Sequence, residues 1–108
     1  MSDLPEVTVQ ELAQELELRS DLCLVDVREA EELEHGHLPG ILHVPLGELP
    51  ESLDRLDRGA DIVVVCRTGG RSGKATQQLL DAGFVKVRNM IGGMNAWATE
   101  VDPSMQPY

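Results

Sequence analysis

The sequence predicts an α/β domain with a central parallel sheet flanked by helices on both faces. Two observations carry that expectation. Extended apolar runs alternate with helix-like segments along the chain, and the clearest run, "DIVVVC" at 61–66, has no polar alternation, as a strand buried on both faces requires. The length decides the rest: 108 residues suffice for one hydrophobic core and not for two.

Taken in order, "VTVQELAQEL" opens with Thr8 and Glu11 at capping-box spacing, followed by Leu12 and Leu16 at helical spacing. The run "LCLVDV" (22–27) reads as a buried strand, "EAEELEHG" as a short helix ended by Gly36, and "HLPG" as a turn into a second extended piece, "ILHVP". A helical turn or two follows in "LGELPESLDRL", and then comes the central strand into Cys66. In "SGKATQQLLDAG" the residues Ala75, Leu79 and Ala82 share one face, with Gly83 as the C-terminal cap. The remaining pieces are a strand "FVKVRNM", a turn "IGG" and a last helix "MNAWATEV". One domain is expected over 1–108, with its core at about 6–100 and an extended C-terminal tail at 101–108.

Charge and composition exclude several functions. The formal net charge of -10 opposes binding to nucleic acid or to an anionic membrane, both of which are held chiefly by Lys and Arg. No stretch approaches the roughly 20 apolar residues of a membrane span, and the N-terminus shows no basic region followed by an apolar one. A cytoplasmic location is the expectation. Cys23 and Cys66 are far apart without a C-x-x-C, which argues against a disulfide framework or a thioredoxin-type pair.

The chemistry gathers in "CRTGGRS" (66–72), placed after the central strand where open α/β sheets bind ligands. A thiol attacks as thiolate, and an unperturbed cysteine is only about 3% ionised at pH 7. Cys66 has two sources of activation, the flanking Arg67 and Arg71 and a helix beginning near Ser72 with its unpaired N–H groups. Gly69 and Gly70 let the backbone curl so that successive N–H groups converge. An anion cradle with a sulfur at its floor is the expected result. Thr68 serves as a turn residue or a ligand contact, and Ser72 as a helix cap or a ligand contact. Cys23, inside an apolar run, reads as a small core residue.

This loop resembles the active-site loop of the rhodanese family of sulfurtransferases. Two further segments are similar to that family: "LVDVREAEELEHGHLPGILHVPL" (24–46), like its D-x-R-x-x-x-E-x-x-x-G-H-I-P-G-A segment, and "IGGMNAW" (91–97), like its closing G-G-x-x-A-W. Leu38 and Ile41 depart from the family's usual Ile and Ala. The resemblance implies a rhodanese-like domain acting as a thiosulfate sulfurtransferase, with Cys66 carrying a persulfide. The backbone of Arg67, Thr68, Gly69, Gly70, Arg71 and Ser72 would surround the transferred sulfur, and the two arginines would attract an anionic donor. Cyanide or a thiol would be the acceptor. Asp26 and Arg28 would form an ion-paired network bracing the site, and Glu32 would partner a backbone group or an arginine. Sulfite leaves as an anion and needs no proton, which accounts for a reactive thiol without a histidine beside it.

No cofactor is implied. His35, His37 and His43 lie close in sequence but complete no zinc spacing with acidic or thiol ligands. Trp97 reads as a core anchor, and "EAEELE" as a solvated face. Two alternatives remain. A persulfide carrier would relay sulfur to a protein acceptor, and a phosphatase or arsenate reductase of the C-x5-R type would use the same thiolate and cradle. The latter places its arginine six residues after the cysteine, where this chain has Ser72.

Overall fold

A computed structural model describes residues 4–108. Its elements are β1 (Glu6–Val7), α1 (Val9–Leu18), β2 (Cys23–Asp26), β3 (Leu42–His43), β4 (Asp61–Val65), α2 (Gly70–Asp81), β5 (Lys86–Met90) and α3 (Gly93–Glu100). The five strands form one sheet in the order β1-β5-β4-β2-β3, and every pairing is parallel.

The central place of β4 explains its unbroken apolar run. Ile62 and Val64 pack with Ala75, Leu79 and Phe84 on one side. Val63 and Val65 pack with Leu12, Met94 and Trp97 on the other. Both faces of the strand are therefore buried, and a polar residue on either would lose its water. Trp97 is an anchor of the second cluster, joining α3 to α1.

Local chemistry accounts for the element boundaries. Thr8 Oγ1 accepts from Glu11 N–H at 3.1 Å while Glu11 Oε1 accepts from Thr8 N–H at 2.9 Å, so the capping box at the start of α1 is complete.

The structure adds detail to the sequence-based expectation or departs from it in five places. Glu6–Val7 is a fifth strand, added beside Asn89 and Met90; two residues are too few to show a period, and only the open edge of β5 recruits them. The segment Ala30–His35 is a 3-10 helix, as is Leu46–Glu51, which contains Pro50. Helix α2 starts at Gly70, two residues before Ser72, because Gly69 at φ 110° turns the chain there. The segment after α3 is not simply extended: it folds back, and Tyr108 ends on the active-site side of the sheet.

Candidate active site

Cys66 stands directly after β4, at the carboxyl end of the sheet. It is 1% exposed, so a reacting atom must descend onto the sulfur through the mouth of the loop. Gly69 N–H donates to the sulfur at 3.1 Å, and Ser72 Oγ lies 3.2 Å from it. Burial pushes this thiol up, and the opposing hydrogen bonds prevail: the Ser72 hydroxyl and the N–H groups of Ser72, Gly69 and Thr68 hold it below the ordinary thiol value. The hydrogen-bond partners of the sulfur thus come from the loop expected from the glycines and the helix start.

Ser72 is fully buried, and its hydroxyl also donates to Asn89 Oδ1 at 2.5 Å. The Asn89 amide is oriented by a second bond, Nδ2 to Gly69 O at 3.1 Å. A hydroxyl has one proton. With that proton directed at Asn89, Ser72 offers a lone pair to the Cys66 S–H. Asn89, from β5, is tied to Cys66 through this link.

The two arginines of the loop are used differently. Arg71 forms a bidentate pair with Glu32, at 2.5 Å and 2.8 Å, so much of its charge is compensated. Glu32 is held as well by Glu29 N–H at 3.0 Å, and these bonds, the Arg71 pair foremost, bring its carboxyl down to about 2. Arg67 has no carboxylate partner among the described residues, and its Cζ lies 4.8 Å from the centroid of the Tyr108 ring.

Behind the loop, Asp26 and Arg28 are both completely buried, with Nη2 to Oδ2 at 2.8 Å. A buried guanidinium must satisfy all its donors. Arg28 does so through Asp26, the carbonyls of Glu32 at 3.3 Å and Gly36 at 2.9 Å, and the Tyr108 hydroxyl at 3.0 Å. The pair therefore links the end of β2 to the segment carrying Glu32.

The start of α3 closes the cradle from the third side. Met94 N–H donates to Cys66 O at 2.8 Å and Asn95 N–H to Arg67 O at 3.0 Å. Gly93 permits this approach, since a Cβ there would stand 2.3 Å from the Arg67 carbonyl. The three separated segments of the sequence thus converge on one loop. The rhodanese-like domain family model matches residues 8–100. The chain belongs to this family.

The protein is 37% identical over 101 residues to YtwF of Bacillus subtilis, provisionally named a sulfurtransferase, covering 94% of this chain and 97% of that protein. It is 35% identical over 101 residues to YrkF of the same organism, provisionally named a sulfur carrier protein, covering 94% of this chain but only 55% of that one. Among solved structures, the human single-domain sulfurtransferase TSTD1 superposes with a TM-score of 0.81 at 28% identity, over 89% of this chain and 96% of the human one. Two of these names give sulfur transfer and one gives sulfur carriage.

The other residues of this rhodanese-like chain take ordinary positions. His43 Nε2 lies 2.7 Å from Arg28 O, His37 Nδ1 lies 2.9 Å from Leu38 O, and His35 stacks on Tyr108. Cys23 is partly buried in the core, with its thiol raised by burial. It pairs with Ile62, at the far end of the strands from Cys66. Four residues of strand, about 13 Å at 3.3 Å per residue, separate it from the loop. Among the described residues, no helix is long and apolar enough to cross a membrane.

Sequence reasoning missed two members of the site. Asn89 lies in a strand whose apolar neighbours dominated the pattern, although an Asn in a buried β5 position signals a required partner. Tyr108 carried no signal, because its contacts are 76 and 80 residues away in sequence.

Proposed function

We propose that this protein is a sulfurtransferase that takes a sulfane sulfur from thiosulfate, or a donor of the same class, onto Cys66 and passes it to a thiophilic acceptor such as cyanide or a thiol. The observation that carries the reading is the buried Cys66 sulfur, held below its ordinary pKa by N–H groups and a hydroxyl, with no imidazole among its hydrogen-bond partners.

The Cys66 thiolate attacks the outer sulfur of thiosulfate. An S–S bond forms to Cys66 as the donor's own S–S bond breaks, and sulfite departs with the electron pair. The acceptor then attacks the outer sulfur of the persulfide: cyanide leaves as thiocyanate and Cys66 returns as thiolate. Neither step needs a proton delivered to a leaving group, and both develop negative charge where the loop's N–H groups converge. Arg67 supplies the positive charge that an anionic donor meets first. Arg71, Thr68, Gly69, Gly70 and Ser72 shape the cradle, while Asp26 and Arg28 brace it.

A second reading is supported by the similarity to the provisionally named sulfur carrier: the loaded Cys66 hands its sulfur to a protein thiol or a biosynthetic enzyme. The first half-reaction is the same. The reduced protein is to be incubated with excess thiosulfate and its intact mass measured, followed by peptide mapping. A gain of one sulfur on Cys66, discharged by cyanide and absent in Cys66→Ser, is expected. Retained transfer in Cys66→Ser would overturn the persulfide route. Loading with slow discharge to both cyanide and small thiols would favour the carrier.

A further inference from the structure

The segment following α3 reaches back across the site and ends in a side chain that touches both loop arginines, one directly and one through a carboxylate. Tyr108 N–H donates to Asn95 Oδ1 at 3.0 Å, and Asn95 Nδ2 donates to Tyr108 O at 3.2 Å, which ties the residue to α3. Its ring stacks on His35 with centroids 4.2 Å apart and planes at 9°. The hydroxyl donates to Glu32 Oε2 at 2.8 Å and accepts from Arg28 Nη1. Arg67 lies over the ring.

These contacts divide the labour of the arginines. Arg71 spends two donors on Glu32. Arg67 is held by its charge against a π-face, an attraction that uses none of its N–H groups. It therefore stays ordered at the mouth with its donors available to an anion. A long arginine side chain ordered before the ligand arrives costs the binding step less than one that must be immobilised.

We propose that Tyr108 is a positioning residue for anion capture, its ring holding Arg67 at the mouth of the Cys66 loop and its hydroxyl holding Glu32 and so Arg71. The proposal rests on the reading that Cys66 faces an anionic donor. It assigns a task in that site to a residue outside its three sequence motifs.

The test uses the full chain and sulfate, an unreactive anion. Cys66 is alkylated with neutral iodoacetamide at fixed pH, and the sulfate concentration giving half-protection is measured for the wild type, Tyr108→Phe, Tyr108→Ala, Arg67→Ala and the double variant Tyr108→Ala with Arg67→Ala. Tyr108→Ala raises that concentration about three- to tenfold, the effect of ordering one long side chain, with protection scored against each variant's own alkylation rate without sulfate. Tyr108→Phe, which keeps the ring, shows a smaller rise. The double variant is weaker than Arg67→Ala alone by no more than the Tyr108→Phe effect, because the ring acts through Arg67 and the hydroxyl through Glu32 and Arg71. If Tyr108→Ala does not fold, Tyr108→Leu, which keeps bulk without the π-face, takes its place with the same expectation. Unchanged protection in these variants, multiplying effects of Tyr108→Ala and Arg67→Ala, or no protection of the wild type would each overturn the proposal. Thiosulfate loading of the wild type is scored in parallel. Loading with unchanged protection removes the role of Tyr108 alone; altered protection without loading removes thiosulfate as donor and leaves Tyr108 its role.

Discussion

Glu32 and Arg71, 39 residues apart, meet in a bidentate ion pair at the rim of the Cys66 loop. The pair fixes Arg71 to the segment that also covers Arg28, so two successive contacts through Glu32 join the end of β2 to the first turn of α2. It also sets the acid behaviour of this corner.

The Glu32 carboxyl is brought from an ordinary 4.5 to about 2. A carboxylate depressed in the folded state stabilises fully above its unfolded value and loses that contribution as pH falls through the folded one. Wild-type stability is therefore expected to decline from about pH 4.5 toward about pH 2 through this group. In Glu32→Gln that part of the decline is missing, and stability at neutral pH falls by about 1 kcal/mol, the scale of a partly exposed pair. Urea unfolding of both proteins across this range checks it; identical pH profiles would show that the pair contributes nothing.

The Cys66 thiol is expected to titrate below a free cysteine, read from the pH dependence of iodoacetamide alkylation. Ser72→Ala removes a hydroxyl that stabilises the thiolate, so the alkylation midpoint moves up. The same change leaves the Asn89 Oδ1 acceptor unpartnered in a buried place, costing about 1–3 kcal/mol of stability. A midpoint that does not move would assign activation to the backbone N–H groups alone.

Asp26→Asn leaves the Arg28 guanidinium buried without its counter-charge. Breaking such a pair costs about 3–5 kcal/mol. Thermal or urea unfolding should show a loss of this size, and a loss below about 1 kcal/mol would mean that water reaches Arg28 in the variant.

Gly93→Ala places a methyl 2.3 Å from the Arg67 carbonyl at a φ of +61°. The loop and α3 must separate, breaking the bonds from Met94 and Asn95 to the cradle. Sulfur transfer is expected to fall at least about tenfold, the rate consequence of an ångström-scale displacement at a reacting centre, with the far-ultraviolet circular dichroism spectrum unchanged. Wild-type turnover would show that the cradle tolerates the shift.

Cys23→Ser should change transfer by less than about twofold, because several residues of strand separate it from Cys66. A steady-state assay decides this, and a large loss would reveal a path between the two thiols that the sheet does not provide.

By itself the sequence determined the sheet and the reactive loop. The unbroken run into Cys66 marked a strand buried on both faces, and the glycines between two arginines marked a turn that gathers N–H groups around an anion. These features are local: each depends on residues a few positions apart, so spacing and side-chain type suffice to read them. Tertiary structure alone decided how the arginines are shared. Glu32 compensates Arg71, Tyr108 supports Arg67, and Asn89 accepts the Ser72 hydrogen bond, each across 17 or more residues. Charge compensation and hydrogen-bond direction depend on which groups the fold brings within about 3 Å, and no periodicity in the chain encodes that proximity. The short strand β1 and the return of Tyr108 belong to the same class, since each forms only because a surface built by distant residues is there to receive it.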